Sequence, residues 1–382
     1  MDNSIVVSTP PHVKSKRTTK SIMLDVVIAL LPCVIAGCVY FGWQALLIIL
    51  MSVFSCVATE FVYFFIANKG FNKKCKDAKS VCVRWVKQFD YTSIVTGIIL
   101  ALILPTTDKW YEVFYEVLIG GIFAIAIVKM LFGGTGKNLV NPAAAARVFM
   151  LISFGISTYV ACNFGALFAA DSAVVTTGAT NLAGLLPING NPVSYLHMVD
   201  LLIGTGVAGC IGETCKLAII VGYVYLAVRK VIKWWQPLLF IAVFGLAAWL
   251  MGGFYYDKYT LDIQLFLPNI LSGGVLFAAV FMFPDYVTSP KGVYGQLFYL
   301  IVAAIVLAVL RYFTNLEVAS FVIILMNLFV PLIDKYFIRK PFGYVKVKKE
   351  KKVKTTEEGV KEAAENMIVD TTAEAKTDKE GK

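Results

Sequence analysis

Apolar runs of roughly membrane length recur along most of this chain, and they constrain its fold more than any other feature. About 17–25 apolar residues cross a hydrocarbon core as a helix. Within lipid, every backbone N–H and C=O must find its partner inside the protein. Of 382 residues, 58% are hydrophobic and only 16% charged, where soluble domains carry about 45–50% and about 25%. The chain therefore reads as an all-α, polytopic integral membrane protein.

Ten spans can be drawn, at about 23–42, 43–67, 91–105, 111–132, 142–162, 199–228, 236–252, 268–284, 293–310 and 318–335. The first 22 residues are a polar, basic arm, and the run behind them lacks the small-residue cleavage site of a signal peptide. With ten spans the strongly basic loops fall on one side, among them the loop with Lys73, Lys74, Lys76, Arg84 and Lys87, and the alternate loops are poor in positive charge. The positive-inside bias then puts both termini in the cytoplasm of a cell-membrane protein. The stretch 163–197 has neither lysine nor arginine and falls on the outer face. Residues 341–382, charged and without aromatics after Tyr344, read as a disordered cytoplasmic tail behind a membrane domain of 23–340. The net charge of +10 follows from the basic loops and tail and implies no nucleic-acid partner.

Two spans resemble each other. "SIVTGIILALILP" (93–105) and "NILSGGVLFAAVFMFP" (269–284) each carry a small polar residue before Gly97 or Gly273, then an apolar run ending in proline. They lie five spans apart, which predicts an inverted five-plus-five repeat with functional sites near the repeat interface. The span at 199–228 is long for an upright crossing and holds Gly204, Gly206, Gly209 and Gly212. Glycine is unfavourable in helix interiors by about 1 kcal/mol, so a tilt, a break or a close backbone approach is expected there.

Several motifs fail on inspection. Gly204–Gly209 spells GxGxxG but lies within a span, not at a strand–helix turn. "GGTGKN" (133–138) lacks the hydroxyl residue and upstream glycine of a phosphate loop and reads as a turn leading into a helix at Asn141–Pro142. The eight cysteines are scattered without a CxxC pair, and the two histidines offer no metal site. No catalytic residue is assigned. Ionisable groups at membrane depth mark function or an interhelical pair. Glu60, Lys129, Asp200, Glu213 and Lys216 are of this kind, and Glu213 and Lys216 have helical i, i+3 spacing. Glu60, Glu213 and Lys216 are the candidates for an ion path.

"TTGAT" (176–180) lies in the outer loop, where Gly178 and Ala179 leave the backbone open beside Thr180. A threonine hydroxyl there can form a phosphate ester, but by composition alone an ordinary flexible loop is the favoured reading.

Seven segments in order resemble a known family: "STPPHVKSKRTTKSIMLDVVIALLP", "TGIILALILP", "GGTGKNLVNPAAAARVF", "TTGAT", "GCIGET", "FPDYVTSPKGVYGQL" and "VIILMNLFVPLID". Nearly the whole chain resembles the family formed by the D subunit of the Rnf electron-transport complex and the B subunit of the sodium-translocating NADH:quinone oxidoreductase, and is more similar to the former. The resemblance implies a ten-helix inverted repeat. It also implies a role in coupling electron transfer between ferredoxin and NAD to Na+ or H+ translocation, with partner subunits that include a second flavoprotein. It further implies FMN attached by a flavin transferase through a phosphoester to Thr180, with Thr177, Gly178 and Ala179 completing the acceptor motif. The chain departs from that motif at Val174, where an acidic residue is usual; the nearest acid is Asp171. Some relatives hold a second flavin, riboflavin, and Gly209, Gly212 and Glu213 are the candidate backbone for it. A secondary transporter without redox chemistry is the alternative that the residues themselves leave open, and a purely structural scaffold within a complex is a weaker one.

Overall fold

The computed structural model describes residues 17–67, 78–106, 110–155, 198–204, 209–255, 266–314 and 318–337. The outer loop, the far N-terminal arm and the charged tail lie outside the described residues, as do Val174, Thr177, Gly178, Ala179 and Thr180. Among the described residues the chain is helical, with no strand.

Helices α1 (Thr19–Phe41) and α2 (Trp43–Ile66) are separated by Gly42 alone. Thr18 caps α1 by accepting the Ser21 N–H (3.3 Å), and Gly42 ends it at φ 69°, a left-handed conformation that glycine adopts freely. The basic loop behind α2 contains an unanticipated helix, α3 (Ala78–Gln88). It is amphipathic: Val81 is buried, and Trp85 meets the Phe61 ring edge-on at 5.2 Å. Helix α4 (Thr92–Leu102) is followed by α5 (Trp110–Ile122), which continues as a π-helical stretch, Phe123–Met130. Helix α6 (Pro142–Phe154) starts as expected at Asn141–Pro142, where Asn141 Oδ1 accepts the Ala143 and Ala144 N–H groups. It stops at Gly155, in the left-handed conformation, short of the expected end at 162.

The span expected at 199–228 is broken. Between helix α7 (Met198–Ile203) and helix α8 (Lys216–Val228), the described residues Gly204 and 209–215 are not helical. The span expected at 268–284 is broken too, into α10 (Phe266–Leu271) and α11 (Val275–Phe277), with α11 continuing as a π-helix over Ala278–Met282. Helix α9 (Trp235–Tyr255) stands between them in sequence, and α12 (Val293–Thr314) and α13 (Ala319–Phe337) complete the described bundle. Among the described residues, five helical stretches are long and apolar enough to cross a membrane: Thr19–Phe41, Trp43–Ile66, Val113–Met130, Val293–Thr314 and Ala319–Phe337. Shorter apolar helices pack among them.

Large apolar side chains such as Phe54, Ile152, Val228 and Phe313 point outward, as the lipid-facing side of a bundle does. The interior is aromatic, with Phe240 lying 4.3 Å from Phe283 between ring centroids. Small residues allow the helices to approach closely. A Cβ on Gly97 of α4 would sit 2.8 Å from the Val53 Cα of α2. Gly273, which the repeat pairs with Gly97, lies instead in a break at φ 65°. The sequence likeness at these two glycines therefore serves different purposes.

Gly97→Val is expected to force α2 and α4 apart and to destabilise the chain by about 1–3 kcal/mol. Ile152→Val, at a side chain 73% exposed to the lipid side, is expected to leave the thermal midpoint in detergent unchanged.

Candidate functional site

Two buried polar centres lie at the two ends of α4. The first stands at its N-terminal end. Tyr91, at φ 65°, turns the chain into the helix, and Asp90 Oδ1 accepts from the Thr92 N–H (3.2 Å) and hydroxyl (2.6 Å). Lys129 reaches this end from the π-helical stretch, whose extra residue per turn shifts the side-chain register. Its Nζ donates to Glu60 Oε1 (3.2 Å), Thr92 Oγ1 (2.6 Å) and Ser93 Oγ (3.1 Å). Ser93 Oγ in turn donates to Glu60 Oε2. Lys129 and Glu60 are both buried, and all three donors of the ammonium are used within the protein. Glu60 thus forms the interhelical ion pair that was one of the two expectations for it.

This centre opens into a cleft of about 110 Å³. Thr92, Thr96, Lys129 and Thr135 line one side, and Val280, Phe281 and Asp285 the other. Asp285 follows the second π-helical stretch, and its Oδ2 accepts from the Thr288 hydroxyl at 2.9 Å. Burial pushes the Asp285 carboxyl above the usual carboxylate range.

The second centre is at the C-terminal end of α4, where a helix leaves carbonyls without intrahelical partners. The break before α8 supplies the missing donors: Gly212 N–H bonds Leu102 O (2.7 Å) and Ile211 N–H bonds Leu104 O (3.1 Å). Gly212 is required by this contact, since a Cβ there would lie 2.6 Å from the Leu102 Cβ. Glu213 Oε1 accepts the Cys210 N–H at 2.7 Å. Lys216, the first residue of α8, donates to Glu213 O and to Gly273 O in the other break (3.4 Å). Arg311 of α12 donates to Asn269 O (3.0 Å) and Ser272 O (2.9 Å), and its guanidinium stands 5.6 Å from the Phe244 ring centroid.

Glu213 and Lys216 were expected to share a helix face. The structure brings them together differently: Glu213 lies in the break, and the lysine binds its backbone carbonyl. Gly212 is explained by its contact with Leu102 of α4, and Gly204, at φ 95°, by close approach to the Thr214 carbonyl. The adjoining cavity, lined by Glu213, Arg147, Leu102 and Gly274, measures about 30 Å³. That is room for a water molecule. Arg147 and Arg311 are buried charges absent from the sequence-based candidates, although a lone arginine in "AAAARVF" or "AVLRYF" is the same signal that marked Glu60.

Lipid-length helices, two interrupted helices and buried charges where they meet define a polytopic membrane protein. The chain belongs to the NQR2, RnfD, RnfE family, whose model matches residues 6–343. It is 36% identical over 352 residues to the D subunit of the Na(+)-translocating ferredoxin:NAD(+) oxidoreductase complex of Acetobacterium woodii, covering 91% of this chain and 98% of that protein. It is 30% identical over 354 residues to the D subunit of the proton-translocating ferredoxin:NAD(+) oxidoreductase complex of Clostridium ljungdahlii, covering 89% and 97%. It is also 30% identical over 357 residues to the D subunit of the ion-translocating oxidoreductase complex of Alcanivorax borkumensis, covering 89% and 97%.

Removing one partner of the buried pair is expected to strand the other charge. Glu60→Leu and Lys129→Met should each lower stability by about 3–5 kcal/mol, whereas the double variant should recover most of the loss. Thermal unfolding of the four proteins, read as a double-mutant cycle, checks this.

Proposed function

We propose that this chain is the flavin-carrying membrane subunit of an electron-transport complex that couples electron transfer between ferredoxin and NAD to translocation of Na+ or H+. The carrying observation is the family match over residues 6–343, joined to a bundle whose interrupted helices meet at the buried Glu213, Lys216 and Arg311. Interrupted helices with charges at their broken ends are how membrane proteins handle ions within lipid. The names of the relatives divide between sodium and protons, so either ion is compatible with the family.

In this reading ten helices cross the membrane as an inverted five-plus-five repeat, both termini are cytoplasmic, and the loop 163–197 lies outside. Thr180 carries FMN through a phosphoester made by a flavin transferase, and Thr177, Gly178 and Ala179 form the rest of the acceptor motif. FMN supplies one- or two-electron transfer. Ferredoxin and NAD are handled by partner subunits, among them a second flavoprotein. Glu60 and Glu213, at opposite ends of α4, are the carboxylates placed to meet a moving ion. Gly209, Gly212 and Glu213 are the candidate backbone for a second flavin, riboflavin, and no step is assigned to it.

Interrupted helices also suit a secondary transporter, and one experiment separates the two readings. The full chain, produced with the flavin transferase, is run on a denaturing gel under ultraviolet light. A fluorescent wild-type band and a dark Thr180→Val band are expected. A dark wild-type band overturns the flavin reading in favour of the transporter. A fluorescent Thr180→Val band moves the attachment elsewhere. In the assembled complex, Thr180→Val is further expected to lose ferredoxin-to-NAD electron transfer; unchanged turnover would reduce the chain to a scaffold.

A further inference from the structure

Lys216 stands where electrostatics disfavours it. It is the first residue of α8 and is buried, so its ammonium lies at the positive end of a helix dipole. Backbone oxygens offset this. Glu213 O comes from the break that precedes α8, and Gly273 O from the break between α10 and α11, which is 57 residues away. Gly273 at φ 65° provides the turn on which that carbonyl sits. Arg311 occupies the neighbouring carbonyls of Asn269 and Ser272. Two fixed cations therefore hold the carbonyl end of α10, and one of them ties it to the other interrupted helix.

Unwound carbonyls at broken helices are the ligands that membrane proteins use for small monovalent cations. An alkylammonium and an alkali cation share a unit charge and a preference for oxygen. We propose that Glu213 O and Gly273 O form a monovalent-cation site filled by the chain's own Lys216 ammonium, which acts as a tethered cation locking the two interrupted helices together. The carboxylate of Glu213 belongs to the same residue as one of the two carbonyls, and Arg147 and Arg311 are charged groups beside the site among the described residues. Two carbonyls are few ligands for a bare alkali cation, whereas a primary ammonium hydrogen-bonds to both directly, so a small primary ammonium is the preferred substitute and an alkali cation the weaker one. The cavity of about 30 Å³ beside Glu213 gives such a substitute room once the side chain is shortened. Lys216 is then a positioning residue and not a ligand of the moving ion. This inference stands apart from the flavin reading, because its test does not involve electron transfer.

The test is thermal unfolding of the purified full-length chain in detergent at constant ionic strength. Lys216→Ala is expected to lower the midpoint by roughly 5–10 °C. Methylammonium should restore most of that loss in a saturable manner, sodium should restore less, and choline, which has no N–H donor, should restore none. The wild type should respond to none of them. Lys216→Cys provides a second route: aminoethylation of the thiol rebuilds an ammonium at the same distance, whereas a neutral ethyl adduct does not. Wild type treated in parallel corrects for the other cysteines. Recovery by the aminoethyl adduct alone supports the proposal. It is overturned if Lys216→Ala is as stable as wild type. It is equally overturned if cation identity makes no difference and both adducts behave alike, or if neither variant folds even with methylammonium present throughout.

Discussion

Backbone groups at the ends of interrupted helices have no water to turn to inside an apolar bundle, and the rest of this structure depends on how they are satisfied. The carbonyls that close α4 are met by the N–H groups of Ile211 and Gly212. The carbonyls that close α10 are met by Arg311, and Gly273 O by Lys216. Each break thus completes another element's hydrogen bonding. An unsatisfied buried polar group costs on the order of 1–3 kcal/mol, so these contacts specify which elements meet. They also explain Gly212, whose missing side chain lets the two backbones touch.

The charges follow from the same constraint. Lys216 and Arg311 bind carbonyls, and Lys129 binds Glu60 and two hydroxyls. Helix α4 links the two centres, with Ser93 bonded at one end and Leu102 O at the other.

Much of the fold was legible because its signals are local. Gly42, the Asn141–Pro142 pair and the apolar runs mark helix ends through capping and hydropathy. The glycines at 204–212 announced an irregularity. Helix α3 was hidden in a basic loop because its apolar positions are few and gain meaning only against Phe61. The early end of α6 rests on the single residue Gly155 inside an apolar run, where hydropathy reports no change. The i, i+3 spacing of Glu213 and Lys216 misled because helix geometry was assumed across a segment that is not helical.

By itself, the sequence determined the class of the protein and its family, since the length of an apolar run and an ordered set of motifs do not depend on how the chain packs. It also marked Glu60, Lys129, Glu213 and Lys216 as charges in need of an explanation. Only the tertiary structure decided their partners. Glu60 and Lys129 are 69 residues apart, and Lys216 and Gly273 are 57 apart. Contacts over such separations arise from packing of the bundle and from the shifted register of a π-helical turn, and neither leaves a periodic trace in the chain.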